Sequence, residues 1–430
     1  MDGVRILGSM SSDDGWRYDP SRTFRGRMQR GLGVAVHRAR VDPDAPDVVY
    51  ECLRRDYRWD WQVDDRLVYL ARLVRDLRLD LTPLIDQLRA SGPNDDNQFD
   101  LAVGVLETLG RAGNDEARST LRAYVKDGVR WIEVLRAVAD EWPSDWWDDL
   151  WELAAARLSP ADADEIFADS PPWSSWAGRD ARLDATCDAV RRRVADARAN
   201  RLCFSHTATS DLIAKLLSRS VDRSVKVAVL AELRRRDPDP HLLEVAARVR
   251  DLDLPFLGGA LRRLGAVAVP AAREWAADPE HPLCWTGQRI LADHGDADDV
   301  PALFTALDQL EAEPGWCGFD DITSGLTRLL DAEPGPGRDR LARTLNRLLH
   351  SSPHSYERAS YLTSLLILDP EETTRLLPVC LLDCEPGVRL IAAQHAPLTD
   401  DAVKWLTELA GDPIEEDGVR DAAAARLTSR

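Results

Sequence analysis

The sequence predicts an all-α chain built as an α-solenoid, a superhelix of stacked antiparallel helix pairs. Three observations predict it. Almost every segment with a readable period repeats its apolar residues at i, i+3 and i+4. Runs of alternating Val, Ile, Thr and Tyr bounded by hairpin turns are missing. A helix–turn–helix unit returns along the chain with a drifting period.

The periodicity is clearest early in the chain. In residues 99–109, FDLAVGVLETL, one face carries Leu101, Val105 and Leu109 beside Ala102 and Leu106. Gly110 and Gly113 punctuate it, and Asn114 offers a cap to the next helix, DEARSTLRAYV. A turn at Lys126-Asp127-Gly128 leads into VRWIEVLRAVAD. Further on, EWPSDWWDDLWELAAARL predicts a helix capped by Ser144, with Trp147, Leu150, Trp151, Ala154 and Leu158 on one stripe.

The repeat is legible in the second half. Leu233, Leu264, Leu291, Leu330 and Leu368 mark successive first-helix ends, 31, 27, 39 and 38 residues apart. An Asp-, Gly- or Pro-rich break follows several of these ends, such as Arg-Asp-Pro-Asp-Pro after Arg235 and Leu-Asp-Pro-Glu-Glu from Leu368. Asp supplies N-cap oxygens there, and Pro is tolerated in the first helical turn. One pair of roughly 35 residues cannot bury its apolar faces alone, so pairs stack and share a continuous core. About 10–12 pairs in a right-handed superhelix are expected.

Particular stretches resemble HEAT repeats: Gly387-Val388-Arg389-Leu390-Ile391-Ala392-Ala393, Gly418-Val419-Arg420-Asp421-Ala422-Ala423-Ala424, and Asp298-Asp299-Val300-Pro301-Ala302-Leu303. The resemblance implies a HEAT-like solenoid over nearly the whole chain, with armadillo units its near equivalent. Residues 1–22 read as a loose tail, 23–158 as N-terminal repeats, 159–180 as an irregular break with Pro171-Pro172, and 181–430 as C-terminal repeats.

Composition excludes several functions. The 430 residues are 44% hydrophobic and 30% charged, an ordinary globular balance. Acidic side chains outnumber basic ones 74 to 55, a formal charge of −19, opposite in sign to a general nucleic-acid binder. No stretch approaches the roughly 18 apolar residues of a spanning helix. The N-terminal residues show no secretory signal pattern, and seven scattered cysteines with no C-x-x-C suit a reducing compartment, so a cytoplasmic location is expected. Only four basic residues are lysine, and the arginine excess reads as the codon bias of a G+C-rich genome.

Motifs for chemistry are missing too. The eight histidines form no H-E-x-x-H, and Pro353 separates His350 from His354, so no metal site is expected. Neither a P-loop nor a strand-linked G-x-G-x-x-G is present, so no cofactor is expected. Cys380 and Cys384 read as small core residues.

Two kinds of residue remain as partner-binding candidates. Residues 17–40 hold seven arginines against Asp19 alone, and Arg22, Arg25, Arg27 and Arg30 form an arm suited to an anionic partner. The competing reading makes this arm a cap on the array that pairs with its own acidic surface. Of the 14 tryptophans, Trp59 and Trp61 alternate with charged residues, and Trp173 and Trp176 sit in the Pro-rich break. These four are candidate exposed anchors, since aromatics near arginine mark interface hot spots; inter-repeat packing is the alternative. The expected function is a non-catalytic scaffold or adaptor that binds protein or peptide on a concave surface. A nucleic-acid-binding protein akin to HEAT-like DNA glycosylases is the alternative, disfavoured by the net charge and by the lack of any residue-by-residue match.

Overall fold

Helix follows helix, joined by short polar turns. The computed structural model describes residues 18–60, 62–92, 96–199, 203–249, 254–312, 317–331 and 334–428. Among the described residues there are twenty-four α-helices, a few 3-10 turns and no strand. The all-α expectation holds.

The helices form where the apolar period placed them. Helix Asp96–Arg111 buries Leu101, Ala102, Val105, Leu106 and Leu109 almost completely. Each buried Leu or Val contributes about 1.5–3 kcal/mol relative to exposure. This helix packs on its neighbours in sequence: Leu67–Asp76, Asp115–Asp127 and Trp131–Glu141. Asn114 caps the next helix as expected, its side chain accepting from the Ala117 N–H at 2.9 Å. Helices Arg223–Leu233, Phe319–Leu330 and Arg358–Leu368 end on the leucines that marked the period.

The tryptophan-rich stretch departs from the predicted single helix. Two 3-10 turns, Ser144–Trp146 and Asp148–Leu150, precede a short helix, Trp151–Arg157. Trp147 leaves helical geometry at φ −137°, and its indole N–H donates to the Trp142 carbonyl at 3.2 Å. Side-chain placement outweighs helix propensity here, and Trp147, Leu150 and Ala154 are still buried.

Arginines tie helix ends together at intervals of 30 to 36 residues. Arg157 donates to the Val125 carbonyl at 2.6 Å, Arg328 to Ala292 at 3.0 Å, and Arg426 to Ala396 at 2.9 Å. Arg263 reaches Leu233 at 3.4 Å. The separations are 32, 36, 30 and 30 residues. The last carbonyls of a helix lack intrahelical donors and carry partial negative charge, so a guanidinium satisfies both needs.

The chain divides into two compact units. One takes residues 201–349 and 357–373; the other takes 17–200, 350–356 and 374–430. The stretch 159–180 lies inside the second unit. In the first unit, helix Cys284–His294 is central, packed on Val269–Ala276, Val300–Ala312 and Phe319–Leu330. The second unit joins both ends of the described chain. Its seam is backbone against backbone: the Cys384 N–H donates to the Gly31 carbonyl at 2.9 Å. A Cβ on Gly33 would lie 1.9 Å from the Val379 carbonyl oxygen, so only glycine admits that approach.

Candidate functional site

The sequence-predicted residues scatter. Arg22 and Arg25 are exposed and Arg27 is half-buried. Arg25 pairs with Glu51 at 2.8 Å, and the Arg27 Nε donates to the Ser21 carbonyl at 3.2 Å. Arg30 is buried, a correction to its place in the arm. Its guanidinium donates to the carbonyls of Asp19, Gly26 and Ser351 at 2.8, 2.8 and 3.1 Å and lies 4.4 Å from the Tyr18 ring. The Asp19 and Tyr18 contacts also anchor the last residues of the expected tail, the rest of which lies outside the described residues.

The tryptophans divide likewise. Trp59 is 37% exposed and meets His354 edge-on at 5.2 Å. Trp61 lies outside the described residues. Trp173 and Trp176 are buried, a second correction. Trp176 stands edge-to-face with Trp147 at 5.8 Å and Trp173 at 5.9 Å, and donates to Asp148 at 3.1 Å. The Pro-rich segment is thus packed by its own aromatics, because large rings gain more from burial than from solvent.

The feature with the geometry of a binding site is a cleft of about 540 Å³ in the second unit. Three helices and a turn build it. Helix Asp96–Arg111 contributes Asp100, Val103, Gly104, Glu107 and Arg111, which share a face by helical spacing. A Cβ on Gly104 would lie 2.7 Å from Leu67, so glycine lets helix Leu67–Asp76 come close. Helix Trp131–Glu141 adds Glu133, Arg136, Asp140 and Glu141. Asp65 and the turn at Ile414, Glu415 and Glu416 close the wall. Eight carboxylates and two guanidiniums line the cleft.

Part of that charge is neutralised locally. Arg111 pairs with Glu107 at 2.7 Å and Glu141 at 3.2 Å. Arg130, behind the wall, holds Glu133 at 2.6 Å. Arg136 faces the Phe167 ring at 5.1 Å. Glu415 is held by Arg389 at 2.8 Å and Arg72 at 2.9 Å. Burial pushes Glu107 up to about 7, against the pull of Arg111. Burial also raises Asp65, Asp140 and Glu416, with arginines opposing it in each case. Burial works against Glu415 too, but Arg389 and Arg72 hold it below its ordinary range. Carboxylates that hold protons this tightly gain from an incoming cation.

Two other places bear on function less. A second cleft of about 350 Å³ in the first unit is lined by Ser324, Thr327, Ser360, Thr363 and Ser364 with Arg328. Most of its hydroxyls are engaged: Thr327 with the Thr323 carbonyl, Thr363 with Ala359, and Ser324 with Ser360. In the same unit Glu357 is buried, accepts from the Gly318 N–H at 2.6 Å and from the Tyr361 hydroxyl, and is pushed up to about 8 by burial with Asp320 alongside. Among the described residues no group of three His, Cys, Asp or Glu side chains is placed to hold a metal ion, and no helix is long and apolar enough to cross a membrane.

No sequence motif points to this cleft. A signal was present: Asp100, Glu107 and Arg111 interrupt a helix otherwise read for its apolar stripe, and they share one face with Gly104. No known family matches the chain, and no curated protein matches it.

Proposed function

We propose that the chain is a non-catalytic binding module, an adaptor of the HEAT-like helical-repeat kind, which takes a basic segment of a protein or peptide partner in the acid-lined cleft. The observation that carries this is the balance of eight carboxylates to two guanidiniums around one cleft. Like charges crowded in partly desolvated surroundings repel each other, and an arginine or lysine side chain relieves that repulsion. The cleft has the volume of a small-ligand or side-chain pocket, within the usual range of roughly 300–1,000 Å³.

The repeat reading draws support from sequential helix packing and from the arginine ties near one-repeat spacing. The resembling stretches play matching parts. Val388, Ala392 and Ala393 are core, and so are Val419 and Ala423. Asp296 and Asp299 form a capping box before helix Val300–Ala312. The nucleic-acid alternative is disfavoured, since phosphates would meet this cleft with like charge.

Calorimetric titration with a blocked tri-arginine peptide, a tri-glutamate peptide and a short DNA duplex tests the proposal. Tri-arginine alone should bind, and the double change Glu107→Gln with Asp140→Asn should weaken it at least about tenfold, the scale of a lost charge-assisted contact. Equal binding of the acidic peptide or the duplex, or no effect of the double change, refutes the assignment.

A further inference from the structure

The cleft is not made by consecutive helices alone. One wall is the turn at Ile414, Glu415 and Glu416, more than 270 residues after the helices that supply the others. Two of the contacts that join that region to the beginning of the chain differ in kind. The first is the seam at Gly31 and Gly33, where backbone lies on backbone and leaves no room for a methyl group. The second is a clasp of long side chains. Arg72 donates to Asp412 at 2.8 Å and to Glu415 at 2.9 Å, and Arg75 pairs with Asp412 at 3.0 Å.

Glu415 belongs to both structures at once. It lines the cleft, and it receives Arg72. Any separation of the turn from helix Leu67–Asp76 therefore breaks the clasp and moves a cleft wall in one step. The turn keeps its own shape independently of the clasp, because Arg389 holds Glu415 with two bonds of 2.8 Å and also donates to the Asp383 and Cys384 carbonyls.

We propose that residues 412–416 form a strap, clasped to helix Leu67–Asp76 by Arg72 and Arg75, whose opening unseats one wall of the cleft while the Gly31–Cys384 seam stays closed. On the reading of the cleft as a site for basic segments, on which this part rests, the closed strap completes the site, and a bound cation stabilises closure. Packed interfaces open in cooperative pieces, and a clasp that includes the exposed Arg75 side chain can open while a backbone seam holds.

The test is the double variant Arg72→Gln with Arg75→Gln, which leaves the Arg389–Glu415 pair whole. Hydrogen exchange read by mass spectrometry should show peptides from residues 400–428 exchanging at least about tenfold faster, while peptides from 24–39 and 386–395 keep their rates. Tri-arginine should bind the variant at least about tenfold more weakly, and in the wild type it should slow exchange in 400–428. Unchanged exchange in 400–428 overturns the strap, and so does uniform acceleration across 24–39 and 386–395. Faster exchange with unchanged tri-arginine affinity overturns the link between strap and cleft. Failure of tri-arginine to bind the wild type removes the assignment of the cleft and the strap's part in it, while the exchange rates still decide whether the strap opens.

Discussion

Arg389 and Glu415 face each other as a pair with no exposed side-chain surface, the guanidinium Nε and Nη2 each donating to a separate carboxylate oxygen at 2.8 Å. Breaking such a pair costs about 3–5 kcal/mol where the buried charge is left alone, and here Arg72, 2.9 Å from Glu415, offsets part of it. Arg389→Met should lower the denaturation midpoint accordingly. Adding Glu415→Leu should recover much of the loss, because the uncompensated charge goes with it. Chemical denaturation of both variants checks this, and no recovery in the double variant would argue against desolvation as the cause.

Acid should loosen the second unit. Asp412 and Glu415 are held below their ordinary values of 3.8 and 4.5, despite burial, by Arg72, Arg75 and Arg389. A depressed carboxylate contributes stability above its unfolded value and loses it as pH falls through the folded one. Protection factors in peptides from residues 400–428, corrected for intrinsic exchange, should therefore fall below about pH 4. The Arg72→Gln, Arg75→Gln variant should show a smaller acid effect.

Alkali should act through Glu357, with the opposite sign. Its folded value near 8 lies above the ordinary 4.5, so the folded state holds the extra proton and stability falls as pH rises between those values. Glu357→Gln, which keeps the shape without the ionisation, should flatten the fall in melting temperature between pH 5 and 8.5. An unaltered slope would place the loss at other groups.

Binding of a basic peptide should be proton-linked at Glu107. That carboxyl titrates near 7, and a cation in the cleft favours its charged form. Tri-arginine affinity should increase with pH up to about 7, by at most roughly tenfold per unit for one released proton, and then level off. Glu107→Gln should remove the slope. Calorimetry in buffers of different ionisation enthalpy reads the proton directly.

The segment at 159–180 should resist proteolysis, contrary to what its prolines suggest. Trp176 is fully buried and bonded to Asp148. Trp176→Ala should cost about 3–5 kcal/mol, the range for a large aromatic deleted from a core, and should expose the segment to cleavage. Cleavage of the wild type there at the same rate would show that the ring does not lock the segment.

Local order was legible because helix period, caps and breaks act over a few residues. The apolar face of helix Asp96–Arg111, the Asn114 cap and the leucine-marked ends of three later helices all stand where the periodicity put them. The arginine excess carried more than codon bias, since Arg157, Arg263, Arg328 and Arg426 each satisfy a helix end 30 to 36 residues away. What depended on distant partners was not legible. Exposure of Arg30 was decided by carbonyls at positions 19, 26 and 351, and burial of Trp176 by Trp147 and Asp148. One wall of the cleft contains Glu415, which receives Arg72 from 343 positions earlier. Period and propensity determine which face of each helix is apolar; only three-dimensional packing decides which polar groups then meet, because charge interactions depend on distance through space and not along the chain.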